Sequence, residues 1–202
     1  MSEPNRPTRG IQQGPRSIQV VESVRAATLA ELSRTGFANL TIDAVAKAAG
    51  VSRPTIYRRW PSKAALLQSV VEPLLERYDA DPDTGTVTGD LLALMVLIRD
   101  NAARPEGRAM ITAATTGAAE LRELVRAANA RTLAPFHRAL ERAVHRGEVT
   151  AESDLPTIAY VIFQAVVMWE PAHDTAPSEA DLTRILRTVL PPPNTIERQP
   201  VP

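Results

Sequence analysis

The 202-residue chain predicts an all-α fold. Three observations carry this. Apolar residues recur three and four apart through nearly every segment between Ser17 and Leu190, the spacing of a helix face. No segment alternates apolar and polar residues with the period of two that a half-buried strand needs. Glycine, proline or a polar cluster stands wherever the helical pattern fails. The chain is thereby cut into nine helices, three in an N-terminal head and six in a body.

Residues 1–15 hold three prolines, two glycines, Arg6 and Arg9, the composition of a disordered basic arm. The first helix runs from about Ser17 to Thr35 with Val21, Val24, Thr28 and Leu32 on one stripe. Gly36 ends it, and Phe37 and Leu40 fold back onto the stripe. Thr41 caps the second helix, Asp43 complements its dipole, and Ile42, Val45, Ala46 and Ala49 recur at helical spacing. Gly50 supplies the left-handed residue that closes it. Ser52 caps the third helix. Pro54 is tolerated there because first-turn amides have no helical acceptor to lose. Ile56 and Trp60, four apart, turn inward and leave Arg53, Thr55, Tyr57 and Arg58 outside. A fourth helix starts near Ser62, with Ala65, Leu66, Val70, Leu74 and Leu75 apolar.

The loop DADPDTGTVTG, from Asp79 to Gly89, imitates a calcium site through Asp79, Asp81, Asp83 and Asp90. Thr84 stands where such a loop needs glycine, Pro82 stiffens it, and Asp90 replaces the terminal glutamate. An acidic, solvated linker is expected instead. Thr88 caps a helix from Asp90 to Ala103, and Pro105 opens another through about Thr115, which Gly117 breaks. Glu120 to Arg146 forms a long helix ended by Gly147. Pro156 to about Trp169 is apolar on every side, and Ser178 to Leu190 is amphipathic. Residues 191–202 form a disordered tail. The expected domains are 1–15, an arm; 16–61, a helix-turn-helix head; 62–190, a helical body; and 191–202, the tail.

The head points to nucleic acid. TIDAVAKAAGVSRPTIYRRWPSK, residues 41–63, is two short helices joined by a tight turn, with donors and cations on the outside of the second. That is the form of a helix-turn-helix that enters a DNA major groove. Arg53 and Arg58 are long enough to reach guanine edges or phosphates. Thr41, at an exposed helix start, offers its hydroxyl and amide to a phosphate. The arm could follow the minor groove or backbone, or be inert. Residues 1–70 carry 10 Lys and Arg against 4 Asp and Glu, and residues 71–202 carry 13 against 19. A basic head on an acidic body fits DNA binding by the head alone. Twenty-one arginines against two lysines suggest a GC-rich, bacterial genome.

GVSRPTIYRRWPSKAALL, preceded by LTIDAVAKAAG, resembles the DNA-binding domain of TetR-family transcriptional repressors over roughly Val20 to Val71. Beyond Val71 only the general helical layout agrees. The resemblance implies that Pro54 and Thr55 meet bases, that Tyr57 contacts a phosphate, and that Lys63 holds another, beside Ser52 at the turn. Arg59-Trp60 replaces the more usual His-Phe pair. It also implies a homodimer on a palindromic operator, with recognition helices about 34–36 Å apart or a near multiple. A small molecule in the body would change that separation and release the DNA.

The body supplies two expectations of its own. A helix apolar on every side must be covered on every side. The same helix of a second copy, at about 157–169, with 178–190 alongside, would make a four-helix interface; a buried central helix in a monomer is the alternative. Cavities form between such helices, and Tyr160 and Gln164 are polar interruptions in an apolar segment that a ligand could satisfy. Met95, Met110, Phe136, His137, Phe163, Met168 and Trp169 could line the rest, or simply fill the core.

Much chemistry is excluded. Without cysteine there are no disulfides or thiolate metal sites. No phosphate loop, nucleophile elbow or paired carboxylates appear, so neither an enzyme nor a cofactor is expected. His137, Glu141 and His145 lie four apart on one helix but fan out over about 80°. A solvated or interface stripe among Arg138, Arg142 and Arg146 is the plainer reading, and no metal is assigned. The N-terminus lacks a signal-peptide pattern, and Ile158 to Trp169 is too short to span a bilayer, so a cytoplasmic protein without membrane contact is expected. Two rivals stand beside the ligand-responsive repressor: an all-helical ligand-binding protein that does not use its head, and an architectural DNA binder without a ligand.

Overall fold

The computed structural model describes residues 15–115 and 117–190. Every regular element among them is helical, and the chain divides into two compact units, Met1–Val70 and Val71–Pro202. Of the arm expected over 1–15 only Pro15 is described, and the tail at 191–202 lies outside the described residues.

In the first unit α1 (Pro15–Asn39) is interrupted at Gly36, whose φ of 72° and ψ of 170° no helix accommodates. Val24 and Thr28 form its buried side, with Phe37 and Leu40 folded onto them. α2 (Ile42–Ala48) begins at Thr41, whose hydroxyl accepts the Ala44 N–H at 3.1 Å. It closes at Gly50 (φ 65°). There Val51 N–H donates to the Ala46 carbonyl at 2.9 Å and Gly50 N–H to that of Lys47 at 3.3 Å, the paired bonds of a Schellman end. α3 (Arg53–Arg59) buries Ile56, and Trp60 caps it from within the core.

Ser52 departs from expectation. It has N-cap geometry, but its hydroxyl caps no backbone N–H and lies 2.9 Å from the Thr55 hydroxyl. Two donors it would have used are gone. Pro54 has no N–H, and the Thr55 N–H already donates to the Ser52 carbonyl at 3.0 Å.

α4 (Lys63–Leu75) carries Pro73 in its interior. Proline cannot donate to the carbonyl four residues back, which is that of Ser69. Arg25 of α1 takes over the role: its Nε donates to the Ser69 carbonyl at 2.6 Å.

The second unit continues through a 3-10 turn (Glu76–Asp79) into α5 (Val87–Ala102), α6 (Pro105–Thr115), a second 3-10 turn (Ala119–Leu121), α7 (Arg122–His145), α8 (Leu155–Val167), α9 (Trp169–His173) and α10 (Glu179–Val189). Central α5 packs on α6, α7, α8 and α10. Its Leu91, Leu94, Met95 and Ile98 are buried with Phe136 and Leu140 of α7 and Ile162 of α8. Each such side chain contributes about 1.5–3 kcal/mol of burial. Ten α-helices among the described residues replace the expected nine, because the chain breaks at Met168 and α9 starts anew. α5 also begins earlier than expected. Thr86, not Thr88, is the cap: its backbone is extended and its hydroxyl accepts the Gly89 N–H at 3.1 Å. The Val87 N–H is held by Glu148 at 2.6 Å.

The acidic loop is not the solvated linker its composition suggests. Arg131, Arg138 and Arg142 on one face of α7, with Arg146 at its C-cap, meet it residue by residue. Arg131 pairs with Glu72 at 2.6 Å and Asp79 at 2.8 Å. Arg138 and Arg142 share Asp81 at 3.1 and 3.0 Å. Arg142 and Arg146 flank Asp90 at 3.5 and 3.4 Å, and Arg146 also binds Glu148. Asp90 is fully buried and accepts the Thr84 N–H at 2.6 Å and hydroxyl at 2.9 Å. The stripe among Arg138, Arg142 and Arg146, read as solvated or interface, is therefore the seam that pins the loop. Arg131 holds the Asp79 carboxyl below its usual range. Burial pushes Asp81, Asp90 and Glu148 up, but hydrogen bonds and guanidinium charge outweigh it and hold all three low.

Candidate nucleic-acid interface and cavity

The first unit collects the expected DNA-facing residues on one short helix and its surroundings. Ser52, Arg53, Pro54, Tyr57 and Arg58 are exposed, and Thr55 is half-buried. Tyr57 keeps 45% of its surface open, although Ile56 before it is sealed in the core. Arg58 makes no hydrogen bond or ion pair with any described residue, so its guanidinium points out with all five donors unspent.

Three cations near it are engaged. Arg53 donates to Asp43 of α2 at 2.6 Å. Arg59 donates to the hydroxyl of Ser17 at 2.7 Å and to its carbonyl at 3.4 Å, which ties the end of α3 to the start of α1. Lys63 donates to the Ala38 carbonyl at 3.1 Å, with its ammonium 5.6 Å from the centre of the Phe37 ring. Thr41 is exposed at the start of α2. Sequence reasoning placed Asp43 as a dipole partner and missed its grip on Arg53, a pairing ten residues apart across the turn.

The second unit holds a cavity of about 210 Å³. Its wall runs from Leu74 and Leu75 at the end of α4 through α5 and α6 to α7 and α8. Of the residues proposed to line such a space, Met110, Phe163, Gln164 and Met168 do. Met95 and Phe136 are core residues without exposed surface. His137, Tyr160 and Trp169 do not line it. Tyr160 is not the buried polar group expected: it is 49% exposed, and its hydroxyl accepts from Gln164 Nε2 at 2.8 Å. Trp169 stacks on His173 with ring centres 4.2 Å apart, under the Arg184 guanidinium. No described group of His, Asp or Glu side chains is arranged to hold a metal, and no described helix is long and apolar enough to cross a membrane.

Asn101 was missed. It lines the cavity from the last turn of α5, is 1% exposed, and neither of its amide atoms makes a hydrogen bond of ordinary geometry with a described residue. A signal was present: Leu91, Leu94, Ile98 and Asn101 follow the 3-4-3 spacing of one helix face, so the asparagine continues a buried stripe. Tyr78 lies beside it, where burial raises the phenol pKa and the Asn101 amide draws it back.

Comparison with known proteins completes the picture. The family profile of bacterial regulatory proteins of the tetR family matches residues 24–70, and that of a Tetracyclin repressor-like C-terminal domain matches residues 81–189. An uncharacterized HTH-type transcriptional regulator of Mycobacterium tuberculosis is 32% identical over 187 residues, 88% of this chain and 90% of its own length. A DNA-binding transcriptional repressor TetR of Mycobacteroides abscessus is 35% identical over 137 residues, 64% of this chain and 70% of its own. A TetR family transcription regulator of known crystal structure superimposes with a TM-score of 0.62 at 29% identity, covering 85% of this chain and 96% of that one.

Proposed function

The chain belongs to the tetR family of bacterial transcriptional regulators, and from that premise we propose that it is a repressor that binds an inverted-repeat operator as a homodimer and leaves it when a small molecule enters the body. It is a DNA-binding regulator and not an enzyme. The observation that carries the DNA reading is the outer face of α3. Arg58 stands there without a partner among the described residues, beside exposed Tyr57 and Pro54, and Ile56 and Trp60 behind them are locked in the core.

Arg58 reads bases, Pro54 and Thr55 pack against them, and Tyr57, Lys63, Ser52 and Thr41 take phosphates. Arg53 joins once a phosphate replaces Asp43 as its partner. Tyr160, Val161 and Met168, all more than 40% exposed, form an apolar stretch along α8 and its end that a second copy covers. The repressor assignment is supported by the name of the Mycobacteroides abscessus relative. The regulator works in the cytoplasm, with the DNA it reads. The ligand acts through α4, a single helix that starts at Lys63 and reaches the cavity wall at Leu74 and Leu75. A preference of about 3 kcal/mol for the released state lowers DNA affinity a hundredfold or more.

Titration of the purified protein against operator candidates across a range of salt tests this. With about eight phosphates neutralised per dimer, log K falls with log salt at a slope near −7. Lys63→Ala weakens all sequences alike and flattens the slope, whereas Arg58→Ala costs about 1–3 kcal/mol and relaxes the preference at particular base pairs. Binding indifferent to the inverted repeat, or unaffected by Arg58→Ala, refutes the reading.

A further inference from the structure

We propose that the cavity of the second unit takes an uncharged, largely apolar molecule bearing one amide-like group, a donor and an acceptor side by side, which seats on Asn101. This rests on the reading of the cavity as the effector site and adds the chemistry of its occupant.

Three observations lead there. First, the lining carries no charge: none of the described residues around the cavity is Asp, Glu, Lys, Arg or His. A carboxylate or ammonium entering it would lose its hydration without gaining a counter-ion, which is heavily penalised. Second, the buried polar groups differ in what they have left to offer. The Thr132 hydroxyl is spent on the Ala128 carbonyl at 2.9 Å. Asn101 is 1% exposed, and neither amide atom makes a hydrogen bond of ordinary geometry with a described residue, its polar neighbour being the Tyr78 phenol, which also lines the cavity. Buried amides are almost always paired, so an unmatched one sealed in the wall of a cavity marks a place for a group of complementary donor and acceptor, reached when the side chain turns toward it.

Third, Asn101 is held in position from behind. Gly107 of α6 packs so closely on its turn that a Cβ there would come within 2.0 Å of the Asn101 carbonyl oxygen. The volume sets the scale. A dry cavity of about 150 Å³ accepts benzene, so one of about 210 Å³ suits a molecule of roughly eight or nine non-hydrogen atoms, or that much of a longer one.

Benzamide, benzoate and ethylbenzene share nearly one shape and separate amide, charge and bare apolar surface. Calorimetric titration of the full chain is expected to show benzamide binding at millimolar concentration or below, with benzoate weaker by about tenfold or more. Asn101→Leu should bring benzamide down to the level of ethylbenzene and leave ethylbenzene binding in place. Ala114→Phe, an exposed position on the cavity wall, should block both. In the unaltered protein, the Asn101 side-chain amide resonances should move with benzamide and not with ethylbenzene, which decides the assignment even if Asn101→Leu fails to fold.

Benzoate binding as tightly as benzamide, an unchanged amide preference in Asn101→Leu, or no benzamide binding at millimolar concentration overturns the proposal. An operator titration run in parallel separates the two readings. Benzamide that binds without loosening DNA defeats the effector reading and leaves the site standing. DNA release by benzoate alone keeps the effector reading and defeats the amide assignment.

Discussion

Asp90→Asn keeps a side chain's shape and removes its charge, so it isolates what the buried carboxylate contributes. Oδ1 of Asp90 accepts both the Thr84 N–H at 2.6 Å and the Thr84 hydroxyl at 2.9 Å. Oδ2 faces Arg146 at 3.4 Å and Arg142 at 3.5 Å. In the variant the oxygen stays toward Thr84, and the new NH2 group is left facing two guanidinium groups. Hydrogen bonds to a charged acceptor are worth about 1.5–3 kcal/mol and neutral ones about 1, so the Thr84 bonds weaken by about 1 kcal/mol. Both guanidinium groups are about a quarter exposed; after discounting for solvent, their lost attraction adds about 1–2 kcal/mol. The sum, about 2–3 kcal/mol, lowers the melting temperature of a unit of about 130 residues by roughly 6–10 °C. Differential scanning calorimetry measures this, and limited proteolysis should find the loop at 80–86 opened. Asp83→Asn is the control: Asp83 is 66% exposed and 3.8 Å from Arg146, so its loss should barely register. A melting temperature within about 2 °C of the parent for Asp90→Asn, or equal losses for the two variants, refutes the pinned-loop account.

Three further outcomes follow from the same geometry. Val161→Asp should split the proposed homodimer into monomers in light scattering with an unchanged circular dichroism spectrum, since Val161 is 41% exposed; Val166, which is 2% exposed, would unfold the body if charged. Gly107→Ala should destabilise by about 1–3 kcal/mol in denaturant titration, because the obstacle to its Cβ is the Asn101 backbone, which cannot swing aside. Asp79, Asp81 and Asp90 titrate below 3.8 and Glu148 below 4.5. Carboxyl groups depressed by folding stabilise above their unfolded pKa and stop doing so as pH falls through the folded one. The melting temperature should therefore hold down to about pH 4.5 and drop below about pH 4, with a shallower drop in Arg142→Leu.

Helix existence was legible wherever glycine needed its left-handed freedom. Gly50, Gly117 and Gly147 all have positive φ at the predicted ends. The DNA-facing side was legible too, because Ile56 and Trp60 leave α3 only one way to turn. What escaped were choices among equivalent neighbours and contacts between distant residues. Thr86 and Thr88 are both able caps, and the decision fell to Glu148, sixty-one residues from the amide it holds. Arg138 and Arg142 read as part of a solvated or interface stripe because their partners lie more than fifty residues away. Tyr160 and Gln164 looked like a pair in want of a ligand; Gln164 does line the cavity, but its amide donates to the Tyr160 hydroxyl, which lies on the exposed side of α8. Asn101, without a neighbour of its kind in the sequence, was hidden in plain view on an apolar stripe.

The bond from Arg25 to the Ser69 carbonyl makes two distant positions one unit of inheritance. While residue 73 is proline, position 25 must supply a long donor, and losing the arginine leaves a carbonyl bare inside the turn. Once residue 73 regains an N–H, the helix closes its own ladder and position 25 is free to drift. The two substitutions are thus expected to be non-additive, and their order matters: a lineage can lose Pro73 first and Arg25 afterwards at little cost, whereas the reverse order passes through a weakened protein.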